Sequence, residues 1–270
     1  MALTAFQRDV CRLLADNRVR SGESYVADAE ALNELLRAPR RSRDIDLFHD
    51  TEEALAASWS ADRDSLEQEG YELSVIRERP TFVEAAIRRG DDSVVIQWVH
   101  DSAYRFFPLM AHDELGLVLH PFDMATSKVL ALVGRVEPRD FVDTLTCDSE
   151  VQPLGYLAWA ACGKDPGFSP TAILELAARS ARYSEAELRG LDFDGEAPDA
   201  VSMATRWRAM LETGRKIVGL LPPEEAGRAV LTGEGTPHQG TPAALPGALA
   251  KGEIVFHEGR IRGAFPRLVR

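Results

Sequence analysis

Two aspartates, one residue apart, are the first side chains in this sequence able to do chemistry together. Ser42-Arg43-Asp44-Ile45-Asp46-Leu47-Phe48 ends in an alternation of polar and apolar residues, which is a strand pattern. Residues two apart in a strand share a face, so Asp44 and Asp46 would stand side by side. Neighbouring carboxylates repel unless a proton or cation sits between them. Mg2+ is a hard cation that binds through one or two carboxylates together with substrate phosphates. Metal-assisted phosphoryl or nucleotidyl transfer requires that arrangement. The pair taken alone also reads as two solvated aspartates in a surface turn.

Two later segments could serve a phosphate. In Asp123-Met-Ala-Thr-Ser-Lys128-Val-Leu-Ala-Leu-Val-Gly-Arg135 the spacing predicts a helix with Lys128, Leu132 and Arg135 near one face. A lysine aimed into a cleft can neutralise triphosphate charge; standing alone, it reads equally as a surface lysine laying its stem on apolar neighbours. Glu137-Pro138-Arg139-Asp140-Phe141-Val142-Asp143 starts another helix, with Pro138 in its first turn and Asp140 and Asp143 on one face. Carboxylates in a first turn also complement the helix dipole, a purely structural role.

The elements that must position these residues are legible from periodicity. Residues 2–19 carry Leu3, Phe6, Val10, Leu13 and Leu14 at helical spacing. A short strand around Tyr25–Ala27 follows, then a helix with Ala31, Leu32, Leu35 and Leu36 on one face, ended by Pro39. After the aspartate strand, residues 51–69 read as a helix capped by Asp50 or Thr51. Strands are expected at 71–77, 81–88 and 93–100, with a turn at Gly90-Asp91-Asp92. Beyond Pro121 the pattern is helical, over 121–134, 138–147, 153–163, 169–182, 184–190 and 199–220. Ser169 before Pro170, and Ser184 with Glu187, are cap signals. From residue 222 to 247 the chain is rich in Gly and Pro and is expected to be irregular, with a late strand or hairpin at 253–262. The predicted class is α+β (α/β). Residues 1–120 form a mixed sheet with flanking helices, and residues 121–270 form a helical domain with an irregular, Gly/Pro-rich end.

Bulk properties narrow the classes. The 270 residues suffice for a sizeable core. The three cysteines, Cys11, Cys147 and Cys162, form no C-x-x-C pair, so neither a disulfide framework nor a cysteine zinc site is expected. His100, His112 and His120 lack helical metal-pair spacing. Charged residues interrupt the N-terminal helix, and no apolar run reaches the roughly 18 residues of a membrane span, so a cytoplasmic protein is expected. Net charge is −12, which argues against whole-molecule attraction to nucleic acid. The stretch Arg37-Ala-Pro-Arg-Arg-Ser-Arg43 leaves room for a local basic groove, or for scattered solvated arginines. Trp159, Trp207, Tyr156 and Phe168 read as core.

The motifs 42–48, 123–135 and 137–145, in that order, resemble those of the AbiEii/AbiGii (MenT-like) toxin family, on the polymerase-β-like nucleotidyltransferase fold. The resemblance runs from about Tyr25 to Leu145. It implies an Mg2+-dependent enzyme that moves a nucleoside monophosphate from an NTP to an acceptor. The implied acceptor is RNA, above all the tRNA 3′ end, and the implied setting is a toxin–antitoxin pair. It implies that Asp44 and Asp46 bind the metal and that Lys128 contacts the triphosphate. It further implies that Asp143, with Asp140 beside it, holds Lys128 or Arg135 or assists the reaction. Ser42 lies where some members carry a phosphoacceptor serine, and a phosphate there would oppose metal binding.

Two departures stand out. The family's glycine turn is replaced by Asp28-Ala29-Glu30-Ala31-Leu32, whose acids are expected to repel phosphate where glycines would cradle it. At the third metal carboxylate the expected residue is Gln97, or Asp101 under a different register. These departures keep two other readings open. One is a nucleotide- or partner-binding protein without turnover; the other is a nucleotidyltransferase acting on small cationic molecules.

Overall fold

The computed structural model describes residues 3–27, 29–41, 44–180 and 183–267. The chain divides into two compact units, residues 1–103 with 108–120, and residues 104–107 with 121–270.

The first unit is built around a seven-stranded mixed sheet. Its elements are α1 (Ala5–Ser21), β1 (Ser24–Val26), α2 (Ala29–Leu36), β2 (Asp44–His49), α3 (Glu52–Gln68), β3 (Glu72–Arg79), β4 (Phe82–Arg89) and β5 (Asp92–His100). After the excursion that contains β6 (Tyr104–Arg105), β7 (Met110–His112) and β8 (Gly116–Val118) complete it. Strand order is β3-β4-β5-β2-β1-β8-β7. The β2–β5 and β1–β8 pairs are parallel and the others antiparallel. Alternation decides the two faces. Ile45 and Leu47 of β2 share the buried face with Ile96 and Trp98 of β5 and Val83 and Ala85 of β4. Trp59 of α3 meets Trp98 edge-on at 4.7 Å there. Thr51 caps α3 by accepting the Ala54 N–H.

Two buried polar side chains in this core are held by specific bonds. Asp62 is fully buried and accepts from Trp98 Nε1 and Asn17 Nδ2, each at 2.9 Å; burial holds its carboxyl above the usual range. The buried Arg18 guanidinium bonds the carbonyls of Leu115 and Cys11, tying the end of α1 to the approach to β8. Gly116 follows at φ +75°, and a Cβ there would lie 2.7 Å from the Ala15 carbonyl oxygen, so only glycine fits. Cys11 is a free, buried thiol that burial raises to about 12, which leaves it unreactive.

His49, the last residue of β2, is fully buried. Its Nδ1 lies 3.2 Å from the Val99 carbonyl, and its Nε2 has no hydrogen-bond partner among the described residues. Burial lowers its pKa to about 4. An unfolded imidazole protonates near pH 6.5, so between these values the unfolded state binds the extra proton. The contribution of neutral His49 is therefore whole above pH 6.5 and is lost as pH falls through 4, about 3 kcal/mol in all. Urea unfolding at pH 7, 5 and 4 should show this slope in the parent and a flatter one in His49→Gln. Equal slopes would assign the acid lability to other groups.

The second unit is mainly helical, with α4 (Pro121–Arg135), α5 (Pro138–Glu150), α6 (Leu154–Ala161), α7 (Pro170–Ser180), α8 (Glu185–Arg189) and α9 (Ala200–Leu220). The helix expected over 169–182 ends at Ser180; residues 181 and 182 lie outside the described ones. Ser184 and Glu187 form the expected capping box. One expectation is corrected in the last third. The Gly/Pro-rich stretch 222–247 is not irregular throughout, because it contains β9 (Ala229–Thr232) and leads into α10 (Leu245–Ala250). The apolar run Ala229-Val230-Leu231 is fully buried, and Val230 and Leu245 join a core with Tyr156, Trp159, Ile217 and Leu221. The late strand or hairpin expected at 253–262 takes the strand form: β10 (Ile254–His257) pairs with β9, and β11 (Arg260–Ile261) pairs with β6. His257, bonded at 2.8 Å to the Phe106 carbonyl, stands where the two pairings separate. Among the described residues no helix is long and apolar enough to cross a membrane.

Candidate active site

In the first unit, β2 presents Asp44, Asp46 and Phe48 on its half-buried face, opposite the core face. The Asp46 backbone is fixed from the β1 side. The β1 ladder ends at Val26 opposite Leu47, Ala27 N–H reaches the Asp46 carbonyl at 3.5 Å, and the Asp46 N–H is taken by Glu30 Oε1 at 2.8 Å. Glu30 lies in the first turn of α2 and is fully buried. Glu30 thus holds the strand backbone at Asp46. Asp28 and Ser42 lie outside the described residues.

Register settles the third position. Asp46 pairs with Gln97 on β5, and Gln97 pairs with Glu84 on β4, so the three side chains form a row on one face. Gln97 Nε2 donates to Glu84 Oε1 at 3.1 Å. Arg77 of β3 extends the row beyond Glu84 and lies over the Phe82 ring at 5.6 Å. Asp101 lies past the end of β5 and binds the Ser102 N–H, so it is not in register with Asp46. Glu84 was not singled out by the sequence motifs; in the strand it shares the half-buried face with Phe82 and Ala86, opposite buried Val83 and Ala85.

The donor chemistry fits Mg2+. Asp44 and Asp46 offer hard carboxylate oxygens on one face, and Gln97 stands beside them with a neutral amide. Among the described residues no group of three or more His, Cys, Asp and Glu side chains is arranged to hold a metal. A cation there would draw on two carboxylates and complete its shell from water or substrate phosphate, which is the Mg2+ habit.

In the second unit, Lys128, Arg135, Asp140 and Asp143 come together. Lys128 on α4 is 1% exposed, and its Nζ lies 3.2 Å from Asp143 Oδ2 and 3.6 Å from Asp140 Oδ1. Asp140 also takes Arg135 in a bidentate pair, Nε at 2.6 Å and Nη2 at 2.9 Å. Lys128 is therefore not a surface lysine. Only Val136 and Glu137 separate α4 from α5, and Val136 sits at φ +56°, an uncommon setting for a β-branched residue. That tight connection folds α5 back so that Asp140 and Asp143 meet the α4 cations. Nearby, burial raises the Cys147 thiol and pushes Tyr183 up to about 12; Asp143 adds to the first shift and Asp140 to the second. Asp123, within the same motif, accepts the Phe106 and Phe107 N–H groups at 2.8 and 2.9 Å and pairs with Lys164 at 3.1 Å. Its role in the fold is thus structural.

Comparison with solved structures gives two from Helicobacter pylori at useful likeness. JHP933 matches at a TM-score of 0.53 with 13% identity, over 78% of this chain and 91% of its own. A second H. pylori protein, assigned as a nucleotidyltransferase, matches at 0.51 with 13% identity, over 81% of this chain and 98% of its own. MenT4, a nucleotidyltransferase toxin from Mycobacterium tuberculosis, matches at 0.48 with 14% identity, over 80% and 86%. No family model and no curated protein matches the sequence. The likeness to the two H. pylori structures shows that this chain shares their fold.

Proposed function

We propose that this chain, built on a nucleotidyltransferase fold, is an Mg2+-dependent enzyme that transfers a nucleoside monophosphate from an NTP to an acceptor hydroxyl. The observation that supports it most directly is the placement of Asp44 and Asp46 side by side on β2, with the Asp46 backbone anchored by Glu30. In the reaction the acceptor oxygen bonds the α-phosphorus, the α–β bridging bond breaks, pyrophosphate leaves and the hydroxyl proton is lost. Asp44 and Asp46 would hold Mg2+, whose charge offsets that of the phosphate oxygens. Asp46 supplies its carboxylate from a peptide pinned at both N–H and C=O, so the group is preorganised. In the other unit, Lys128 carries positive charge held by Asp143 and Asp140, and Arg135 is held by Asp140. The motif resemblance implies a phosphate role for Lys128 and Arg135, with Asp140 and Asp143 as their support. The resemblance of the motifs to the AbiEii/MenT-like toxins favours RNA, above all the tRNA 3′ end, as acceptor and an antitoxin protein as partner.

Incubation of the chain with Mg2+, total tRNA and each α-labelled NTP in turn should place label on RNA for at least one nucleotide. Absence of label on RNA with every NTP would reject the RNA acceptor.

A second reading has one specific observation behind it, the neutral Gln97 beside Asp46. A chain that binds NTP without turnover would be stabilised by it, by about 2.7 kcal/mol at a hundred times the dissociation constant, yet transfer no label to RNA or to itself.

A further inference from the structure

We propose that Glu84 is a positioning residue for the cation site, acting through Gln97. The inference rests on the cation-dependent reading above. A glutamine beside a carboxylate pair is ambiguous, because its two ends are nearly the same shape but opposite in chemistry. The nitrogen end repels a cation and the oxygen end binds one. Here the ambiguity is removed from the far side. Glu84 follows Gln97 in the row, across one strand spacing of about 4.8 Å, and an ionised carboxylate can only accept. Its Oε1 takes the Gln97 Nε2 at 3.1 Å, which commits the nitrogen to the β4 side. The amide oxygen is left on the β2 side, where Asp46 is the in-register neighbour. Among the described residues no donor takes that oxygen. A hydrogen bond to a charged acceptor also polarises the amide, which makes its oxygen a better ligand. The negative charge missing at residue 97 is thus carried one strand further out, and Gln97 relays it. Partners that orient a ligand in this way are commonly worth 10–100-fold in metal affinity.

The test uses Mn2+, which favours the same carboxylate and carbonyl oxygens as Mg2+ and is visible by electron paramagnetic resonance. The full chain is titrated beside Asp44→Ala, Glu84→Ala and the exchanged pair Glu84→Gln/Gln97→Glu, with melting curves of each. The parent should bind Mn2+ and Asp44→Ala should not. Glu84→Ala should bind about tenfold more weakly with its melting transition retained. The exchanged pair should recover parental affinity or better, because the glutamine introduced at 84 can donate to a true carboxylate at 97. A bulk structural role for Glu84 would not give that recovery. Parental affinity in Glu84→Ala beside lost affinity in Asp44→Ala would overturn the role of Glu84 and leave the aspartate pair standing. So would an exchanged pair as weak as Glu84→Ala. Parental affinity in Asp44→Ala would overturn the cation site itself, and this inference with it.

Discussion

An Asp46→Asn chain is expected to keep its fold and to transfer nucleotide about a thousandfold more slowly than the parent. The substitution preserves shape, and the Asp46 N–H can still bond Glu30. The core side of β2, carried by Ile45 and Leu47, is untouched. The change removes one of two negative charges that would hold the cation. Metal-assisted charge stabilisation in such reactions is worth several kcal/mol, and about 4 kcal/mol corresponds to about a thousandfold in rate. Asp44→Asn should behave alike, since the two side chains share one face of one strand. Single-turnover transfer with a labelled NTP, run over a range of Mg2+ concentrations, measures the effect. Parental rates in either variant, with an intact cooperative melt, would remove β2 from the chemistry. An inactive parent that still binds NTP would instead favour the binding reading, because then neither substitution has a rate to lower.

The aspartate strand was legible because alternation over Asp44–Phe48 carries its own face assignment, and the register with β5 then put Gln97, which the resemblance had pointed to with Asp101 as the alternative, next to Asp46. The two helices that carry Lys128 and Asp143 were legible for the same reason, with apolar periodicity and a proline start. The burial of Lys128 was not. An apolar stripe beside a lysine fits both a snorkelling stem and a buried ammonium, and only the return of α5 through Val136 and Glu137 supplies the carboxylates that decide between them. The bond that Glu30 makes was not legible either, because the β1 ladder ends one residue short of the Asp46 N–H, and only the fold brings Glu30 there. Glu84 acquires meaning only through pairing between strands, which no local pattern encodes. The strands β6, β7, β8 and β11 are two or three residues long, too short for any period to show. The strand β9 was hidden by composition, as four residues of strand inside a Gly- and Pro-rich stretch.

Lys128→Met should cost about 3–5 kcal/mol of stability, the usual loss when one partner of a buried ion pair is removed. Against a total of roughly 5–15 kcal/mol for a typical domain, that is a large fraction. Asp140 would keep its bidentate contact with Arg135. Asp143, 1% exposed, would lose the ammonium 3.2 Å away. Lys128→Met/Asp143→Leu should regain most of the loss, because well-packed apolar groups of similar volume replace a buried pair at little net cost. Urea unfolding of the parent, the single variant and the double variant measures both steps. A single variant as stable as the parent would contradict the buried pair. This comparison matters for function as well as for folding. Lost transfer in Lys128→Ala alone confounds a missing phosphate contact with a destabilised helix pair. A stable double variant separates the two: if it transfers at the parental rate, Lys128 and Asp143 are scaffolding for α4 and α5; if it is stable and inactive, their charges belong to the chemistry.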